Sequence, residues 1–569
     1  MLSDSVLAKV EKTQLGWRIV ESVPLMQGLS AEVENERKLR PIILSTVTLD
    51  TIHQKITVER APLARPIYYY VGKEGKSFYC STHVFLLKKF GVTIAENVSV
   101  LPEFFIYGYV MPPATLYANI KRLSFGQSLH IKINGTKCLV KEEPSFSLQP
   151  ALRERIPLTR IIHRILTHLK CTIEPLKVAK ENLAVLLSGG LDSSILAKLS
   201  KDVIGAKQTF STGYPFKDPR GNLERKYAIT ASSSLETDHV YYEATASEFI
   251  KGIIEATAIA EEPIHFASAL LHLLFRSGLP NGRKIVVCGS GADSMLGGQA
   301  NIRLDISTRS PVYLFAINPI VRMIVAKMSK LSLFSQELHG LSRWLESLAK
   351  TNAAYKRSIK DPFYILWSSG AHGNNEWVTN KFKVTPERII KSRLDFVTEQ
   401  IAGNPGMSLH DLIAMVQMCG PLEITHAIWS KLAEDTGKII VFPFMNTKLI
   451  TDAFSASWGL KLRKHKFILR RVARTIGIPE FIIRRRKLGM EIDPKIWAVR
   501  GGVLEPLIPL CLEVFDKAEF RATQSPEPEQ SATFWHMLSY AIWKQIYIEG
   551  KSTDSLLSKL ALPRRPSRK

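Results

Sequence analysis

Glu181-Asn-Leu-Ala-Val-Leu-Leu-Ser-Gly-Gly-Leu-Asp-Ser-Ser194 is the stretch on which the fold turns. The apolar run Leu183 to Leu187 predicts a buried strand, Ser188 to Ser194 reads as a tight polar turn, and Ile195 to Leu199 resumes with helical spacing. Two adjacent glycines, Gly189 and Gly190, let backbone N–H groups approach an anion closely, and the following helix adds unsatisfied donors and the positive end of its dipole. The stretch therefore predicts a strand, a phosphate-binding loop and a helix. It is not a Walker A loop, because the Gly-Lys-Ser/Thr ending is absent.

Downstream, Thr209 to Tyr214 and His239 to Tyr242 read as further strands with a helix, Tyr227 to Ser234, between them. Alternation of strand and helix implies a parallel sheet with ligands at the carboxyl ends of its strands. Lys284-Ile-Val-Val-Cys-Gly-Ser-Gly-Ala-Asp-Ser-Met-Leu-Gly-Gly298 repeats the design: a strand over Ile285 to Cys288, a loop at Gly289-Ser290-Gly291, then Asp293 placed to face phosphates.

Ser-Gly-Gly-Leu-Asp-Ser-Ser resembles the loop of the PP-loop ATP pyrophosphatases, which cleave ATP to AMP and pyrophosphate while activating a substrate. The second loop narrows this. It is similar to the Ser-Gly-Glu-Gly-x-Asp-Glu pattern of asparagine synthetases, and Glu262-Pro263 echoes that family's acidic-Pro pair. Lys466-Phe-Ile-Leu-Arg470, Ile478-Pro479 and Arg485-Arg-Lys-Leu-Gly489 follow the order of its C-terminal signature. The resemblance spans about residues 60 to 495 and implies roles. ATP would be held by Leu187, Ser188, Gly189, Gly190, Asp192, Ser193, Ser194, Thr212, Cys288 and Gly289, and Mg²⁺ by Asp192 and Asp293. Lys466 and Lys487 would neutralise charge building on the leaving pyrophosphate.

Residues 1–148 alternate short strands and turns, with Gly72-Lys-Glu-Gly75 and Asn134-Gly135 as turn signals and a helical stretch near Ser81 to Phe90. With Pro66 to Tyr69, Cys80 to Thr82, Thr115 to Ile120 and Phe125-Gly126 echoing its segments, this part resembles the glutaminase half of the same family, which implies an Ntn-type α+β sandwich whose nucleophile is a cysteine at residue 1 after Met removal. Here Leu2 stands in that place and the first cysteine is Cys80, so the expectation is a degenerate glutaminase-like domain without the catalytic cysteine. A Pro- and charge-rich linker, about Glu142 to Pro157, leads to an amphipathic stretch over Leu158 to Leu169. Residues 149–550 form the expected ATP pyrophosphatase domain and 551–569 a basic tail; the whole reads as α/β. Between 300 and about 405 the periodicity is helical, with amphipathic stretches at Leu341 to Leu348 and Glu387 to Ile401, and His372 reads as a loop residue.

Composition excludes several classes. The chain has 569 residues, 45% hydrophobic and 22% charged, and no run of about 18 apolar residues that would span a membrane. The start lacks a signal-peptide pattern, and six scattered cysteines without Cys-x-x-Cys spacing point to reduced thiols in a cytoplasmic protein. The net charge of +24 suits ATP, pyrophosphate or an acidic partner, and no aromatic-plus-basic module marks nucleic-acid binding.

The resemblance implies carboxylate activation as an acyl-adenylate followed by attack of an amine. Family members lacking the glutaminase cysteine include β-lactam synthetases and lasso peptide cyclases. Position 290 is glutamate in asparagine synthetases and tyrosine in β-lactam synthetases, where it belongs to a dyad that helps to deprotonate the amine. Ser290 is a poor base without an activating partner, and as a candidate catalytic residue it would orient the amine or else shorten the wall to admit a bulkier substrate. An α-amino group, with a reference pKa of about 8, needs little help. The expectation is a lasso-type macrolactam cyclase acting on a precursor peptide, with a leader-binding protein and a protease as partners. In Val441-Phe-Pro-Phe-Met-Asn446 the family's arginine is missing and Asn446 replaces its aspartate, which counts against ordinary aspartate binding. The alternatives are an ammonia-dependent asparagine synthetase-like amidotransferase, a small-molecule β-lactam synthetase-like cyclase, and a PP-loop RNA-modifying enzyme.

Overall fold

The computed structural model describes residues 7–13, 16–23, 42–60, 66–144, 156–213, 219–280, 282–298, 301–302, 373, 375–403, 407–485, 497, 502–522 and 528–560. Leu341 to Leu348, His372, Lys487 and residues 561–569 lie outside these residues. The expected tail is corrected at its start, where helix Thr553–Ser558 is capped by Ser552 and buries Leu556 against helix Ala246–Ala260.

Among the described residues the first part of the chain carries nine strands: β1 (Leu7–Thr13), β2 (Gly16–Val23), β3 (Ile42–Asp50), β4 (Lys55–Arg60), β5 (Tyr68–Val71), β6 (Phe78–Ser81), β7 (Ile120–Arg122), β8 (Gln127–Asn134) and β9 (Lys137–Pro144). They make two antiparallel sheets, ordered β1-β2-β3-β4-β8-β9 and β6-β5-β7. The predicted Asn134-Gly135 turn closes the β8–β9 hairpin, where Asn134 pairs with Lys137 and Gly135 takes φ +58°. The helix expected near Ser81 to Phe90 is Val84–Lys89. A second helix, Leu101–Tyr107, is buried at all seven positions, so it carries no amphipathic period to announce it.

The second half is built on β10 (Leu183–Leu186), β11 (Gln208–Gly213), β12 (Asp238–Glu243), β13 (Ile285–Val287) and β14 (Ile439–Val441). All pair in parallel in the order β12-β11-β10-β13-β14. The central strand β10 is buried at Leu183, Ala184 and Val185 and β13 throughout, as befits strands covered by helices on both faces. The helix Leu158–Ile173 buries Ile161, Ile165, Leu169 and Ile173, a stripe in which each side chain contributes about 1.5–3 kcal/mol of burial. It packs on helices Leu191–Ile204, Thr447–Ser455 and Phe467–Thr475, fixing the phosphate-loop helix relative to the helix that begins beside Lys466.

Three expectations change. The polar turn ends earlier than read: the helix starts at Leu191 with Gly190 as its N-cap, so Asp192, Ser193 and Ser194 sit in its first turn. The stretch Glu387 to Ile401 is divided between helices Pro386–Ile389 and Lys391–Gly403, with Ile390 as the joint. The start of the expected linker, Glu142 to Pro144, is still strand β9, while 145–155 lie outside the described residues.

One hydrophobic cluster runs from Tyr68 to Leu560 and joins β5 and β7 to the helices around the parallel sheet, while Val58, Leu129 and Ile131 of the six-stranded sheet pack in a second cluster with Ile67, Tyr69 and Leu123. Among the described residues no helix is long and apolar enough to cross a membrane. All six cysteines are free thiols.

Candidate active site

The strand order places a crevice before any side chain is considered. The chain runs outward from β10 to β11 and β12, then crosses to β13 and β14 on the other side. The reversal falls between β10 and β13, and the loops that leave their carboxyl ends diverge to open a ligand crevice there. These are the two loops that the sequence singles out.

The first loop is tied to its own helix. Ser193 Oγ donates to the Gly190 carbonyl at 3.1 Å and lies 3.2 Å from Ser188 Oγ, while Ser194 N–H donates to Gly190 O at 3.0 Å. Gly189 has φ +68°, and a Cβ there would meet the Tyr227 carbonyl at 2.4 Å, so only glycine fits. Gly190 offers no side-chain cap, leaving the start of a 14-residue helix to present backbone donors to an anion. Gly289 serves the second loop: its Cβ would meet Ser193 N at 3.0 Å, so the missing side chain lets the two loops touch.

Lys466 joins them. It sits in left-handed conformation, φ +56°, at the N-cap of helix Phe467–Thr475, with its N–H donating to Gly297 O at 3.2 Å. Its ammonium bonds to Asp192 Oδ2 and reaches Asp293 Oδ1 at 2.8 Å. Burial works against the charge, but the two carboxylates outweigh it and hold the ammonium above the ordinary lysine value. Residues 274 and 173 positions apart in sequence (466 − 192 and 466 − 293) thus meet at one point.

Two convergent carboxylates are a donor set that fits Mg²⁺, which takes one or two protein carboxylates with water and phosphate. Among the described residues no group of three or more His, Cys, Asp or Glu forms a closed cage. An anion also has partners here. Arg485 Nη1 donates to the Ser188 carbonyl at 3.0 Å with its guanidinium 4.0 Å from the Tyr227 ring centroid, and its Nε is buried with no hydrogen-bond partner among the described residues.

The other expected residues fall as follows. Leu187 is fully buried and its N–H bonds to Phe210 O, so only its backbone is available to a ligand. Ser194 and Thr212 each have a buried hydroxyl without a partner among the described residues; Thr212 lies on β11 and Ser194 behind the loop in the core. The Cys288 thiol is pushed up to about 12 by burial, which rules it out as a nucleophile near neutrality, and its N–H bonds to Val441 O. Ser290 is not isolated: its Oγ is 2.9 Å from His426 Nε2. Asn446 caps helix Thr447–Ser455, accepting from Lys448 N–H at 3.0 Å, and donates to Thr172 Oγ1. Glu262 faces the N-terminal sheets, accepting from Tyr68 Oη at 3.2 Å, rather than the crevice.

His426 carries no motif in the sequence, and Arg485 is legible only as part of the C-terminal signature, with no role attached to it. Arg485 is one of three consecutive arginines, which give no sign of which turns inward. His426 sits in Glu423-Ile-Thr-His-Ala-Ile-Trp429, where the only signal is its i, i+3 pairing with Trp429.

Comparison with known proteins adds a family to this geometry. The family described as "Asparagine synthase" matches residues 168–523. Proteins of Mycobacterium bovis and Mycobacterium tuberculosis, each named "Putative asparagine synthetase (glutamine-hydrolyzing)", are 21% identical over 547 residues, covering 91% of this chain and 78% of theirs. "Asparagine synthetase (glutamine-hydrolyzing) 1" of Bacillus subtilis is 19% identical over 528 residues, covering 87% and 76%.

Proposed function

The chain belongs to the asparagine synthase family, whose members are ATP-dependent amide-forming ligases, and on that premise we propose that it adenylates a peptide carboxylate and closes a macrolactam. The observation that carries the ligase reading is the meeting of Asp192, Asp293 and Lys466 where the two loops touch. In this reading the side-chain carboxylate of an Asp or Glu in a precursor peptide attacks the α-phosphorus of ATP. Pyrophosphate leaves, the peptide's N-terminal amine attacks the acyl carbon, AMP departs, and one proton is released.

The protein's part is positioning and electrostatics. Gly189, Gly190 and the first turn of helix Leu191–Ile204 receive phosphate, and Thr212 borders the nucleotide. Lys466 supplies a cation for the departing pyrophosphate, with Lys487 in the same role and Arg485 fastening the loop through Ser188. Asp192 and Asp293 would hold Mg²⁺, which screens phosphate charge when bound.

Residues 1–148 are proposed as a degenerate, Ntn-type glutaminase-like domain that serves as a binding scaffold, and the ligase domain as running from 149 through helix Thr553–Ser558, which packs into the same core. Precursor peptide, leader-binding protein and protease are the proposed partners, in the cytoplasm. The absence of the family's arginine before Phe442 and the capping role of Asn446 support a substrate other than free aspartate.

The names of the mycobacterial and Bacillus subtilis relatives favour a second reading, synthesis of asparagine or a similar small amide. ATP–pyrophosphate exchange separates the two, run with L-aspartate, L-glutamate and synthetic peptides carrying a free N-terminal amine and one internal Asp or Glu. Exchange with a peptide, and a peptide product lighter by one water, is the expected result. Exchange with free aspartate and with none of the peptides would reject the cyclase.

A further inference from the structure

We propose that Ser290 and His426 are the amine-handling pair of this site, with His426 fixing the Ser290 hydroxyl so that it receives an N–H of the incoming amine. The inference rests on the amide-ligase reading and deepens it by assigning the nucleophile's side of the crevice. Ser290 lies in the loop after β13, next to Gly289, which touches the first turn of the phosphate-loop helix. His426 belongs to helix Glu423–Asp435 and stacks on Phe442, the residue after β14, with ring centroids 3.7 Å apart and planes at 11°. The pair therefore lies on the β13–β14 side of the strand-order reversal, across from the β10–β11 side where the phosphate loop and Thr212 lie.

The helix that carries His426 is held at both ends of its buried face. Arg60 Nη1 donates to Glu423 Oε1 at 2.6 Å, and Lys431 pairs with Glu261 at 2.5 Å. With its ring flat against Phe442, His426 has little freedom to turn. A serine hydroxyl by itself is a free rotor, and an acceptor at 2.9 Å removes that freedom.

The chemistry of the imidazole decides the division of labour. Part of the residue's surface is accessible, but the ring's surroundings are dry enough that burial pushes its pKa down to about 3, so the ring is neutral in the working range. A neutral ring with its proton on Nδ1, a tautomer inferred from the hydrogen bond, accepts from Ser290 Oγ–H through Nε2. The lone pairs of Ser290 Oγ then accept an amine N–H, which turns the nitrogen lone pair toward the acyl carbon. As the N–C bond forms, the C–O bond to AMP breaks, AMP leaves with that electron pair, and the ammonium proton passes to water. His426 acts through Ser290 and is a positioning residue. It is too weakly basic to keep a proton, so the amine must arrive neutral, as an N-terminal amine with a reference pKa of about 8 can.

Partial reactions test this on the full chain, with the peptide panel above as carboxylate probe. His426→Phe keeps a ring on Phe442 and removes the acceptor; His426→Gln keeps an acceptor. In His426→Phe, ATP–pyrophosphate exchange should remain within about threefold while peptide ligation falls roughly 10- to 100-fold, the usual cost of misplacing a reacting group. His426→Gln should recover at least part of the loss. Ser290→Ala should match His426→Phe, and the double variant should be no worse than either, as for residues acting as a unit. Exchange doubles as the folding control. Undiminished ligation in His426→Phe, or losses that multiply in the double variant, would overturn the pair alone. Lack of exchange in the unsubstituted chain with every member of the panel would overturn the ligase reading and the pair with it.

Discussion

Lys466→Met should lower the rate of pyrophosphate release by about 100- to 1000-fold, the range found when a group aimed at developing charge is removed, while KM for ATP changes little. The lysine is 4% exposed and already bound to both carboxylates, so its ammonium is in place before the reaction and needs no reorganisation. A group that acts on the departing anion stabilises the transition state more than the ground state, which appears in kcat and not in binding. Asp192→Asn should behave differently. It removes one of two charges from the cation site, so the Mg²⁺ concentration needed for half-maximal rate rises together with KM for Mg·ATP. Steady-state kinetics across a Mg²⁺ titration distinguishes the two variants. A Lys466→Met enzyme within about threefold of the unsubstituted rate would leave no room for a charge-stabilising role of the size seen elsewhere.

The largest effect on stability is expected from Glu261→Gln. This residue ends helix Ala246–Ala260 in left-handed conformation, φ +60°. Its carboxylate accepts from Val84 N–H at 3.0 Å and Phe85 N–H at 2.8 Å and pairs with Lys431, both side chains being almost fully buried. Its carbonyl accepts from Tyr117 Oη, and from Trp543 Nε1 at 3.2 Å. One glutamate therefore links an N-terminal helix, the helix that carries His426, and the C-terminal helix Pro528–Tyr547. Removing its charge leaves Lys431 with the Ala260 carbonyl at 3.2 Å and the Tyr68 ring, poor replacements for a carboxylate in a dry site. Breaking such a pair from one side costs about 3–5 kcal/mol. The first transition in urea should move to lower concentration accordingly. Glu261→Gln combined with Lys431→Met should recover much of the loss, since no buried charge is then left over; a double variant no more stable than the single one would refute the ion-pair explanation.

Periodicity and glycine placement made the centre of the fold readable. Leu183 to Leu187 and Ile285 to Cys288 are short apolar runs closed by glycine loops, and they became β10 and β13 to within a residue or two at their ends. Asp192 and Asp293 were readable for the same reason, each lying at a set distance beyond such a loop. What the sequence could not carry was distance. Nothing local to His426 says that its partner lies 136 residues upstream, and nothing in the run Arg484 to Arg486 says that Arg485 reaches Ser188. Helix Leu101–Tyr107 was missed because burial on every side erases the polar face that a periodic pattern needs. The pair Glu262-Pro263 shows the opposite difficulty: it is legible as a motif, yet Glu262 meets Tyr68 in the N-terminal sheet.

The central claim is that a carboxylate oxygen attacks the α-phosphorus of ATP where the β10 and β13 loops meet. It is tested most directly by ¹⁸O transfer, using a peptide whose Asp or Glu side-chain carboxylate is labelled with ¹⁸O and analysing the nucleotide products by mass spectrometry. The account predicts one ¹⁸O in AMP, with pyrophosphate unlabelled, and loss of that labelled AMP in Asp192→Asn. Label in inorganic phosphate with ADP as the nucleotide product, or AMP formed without label, would contradict it.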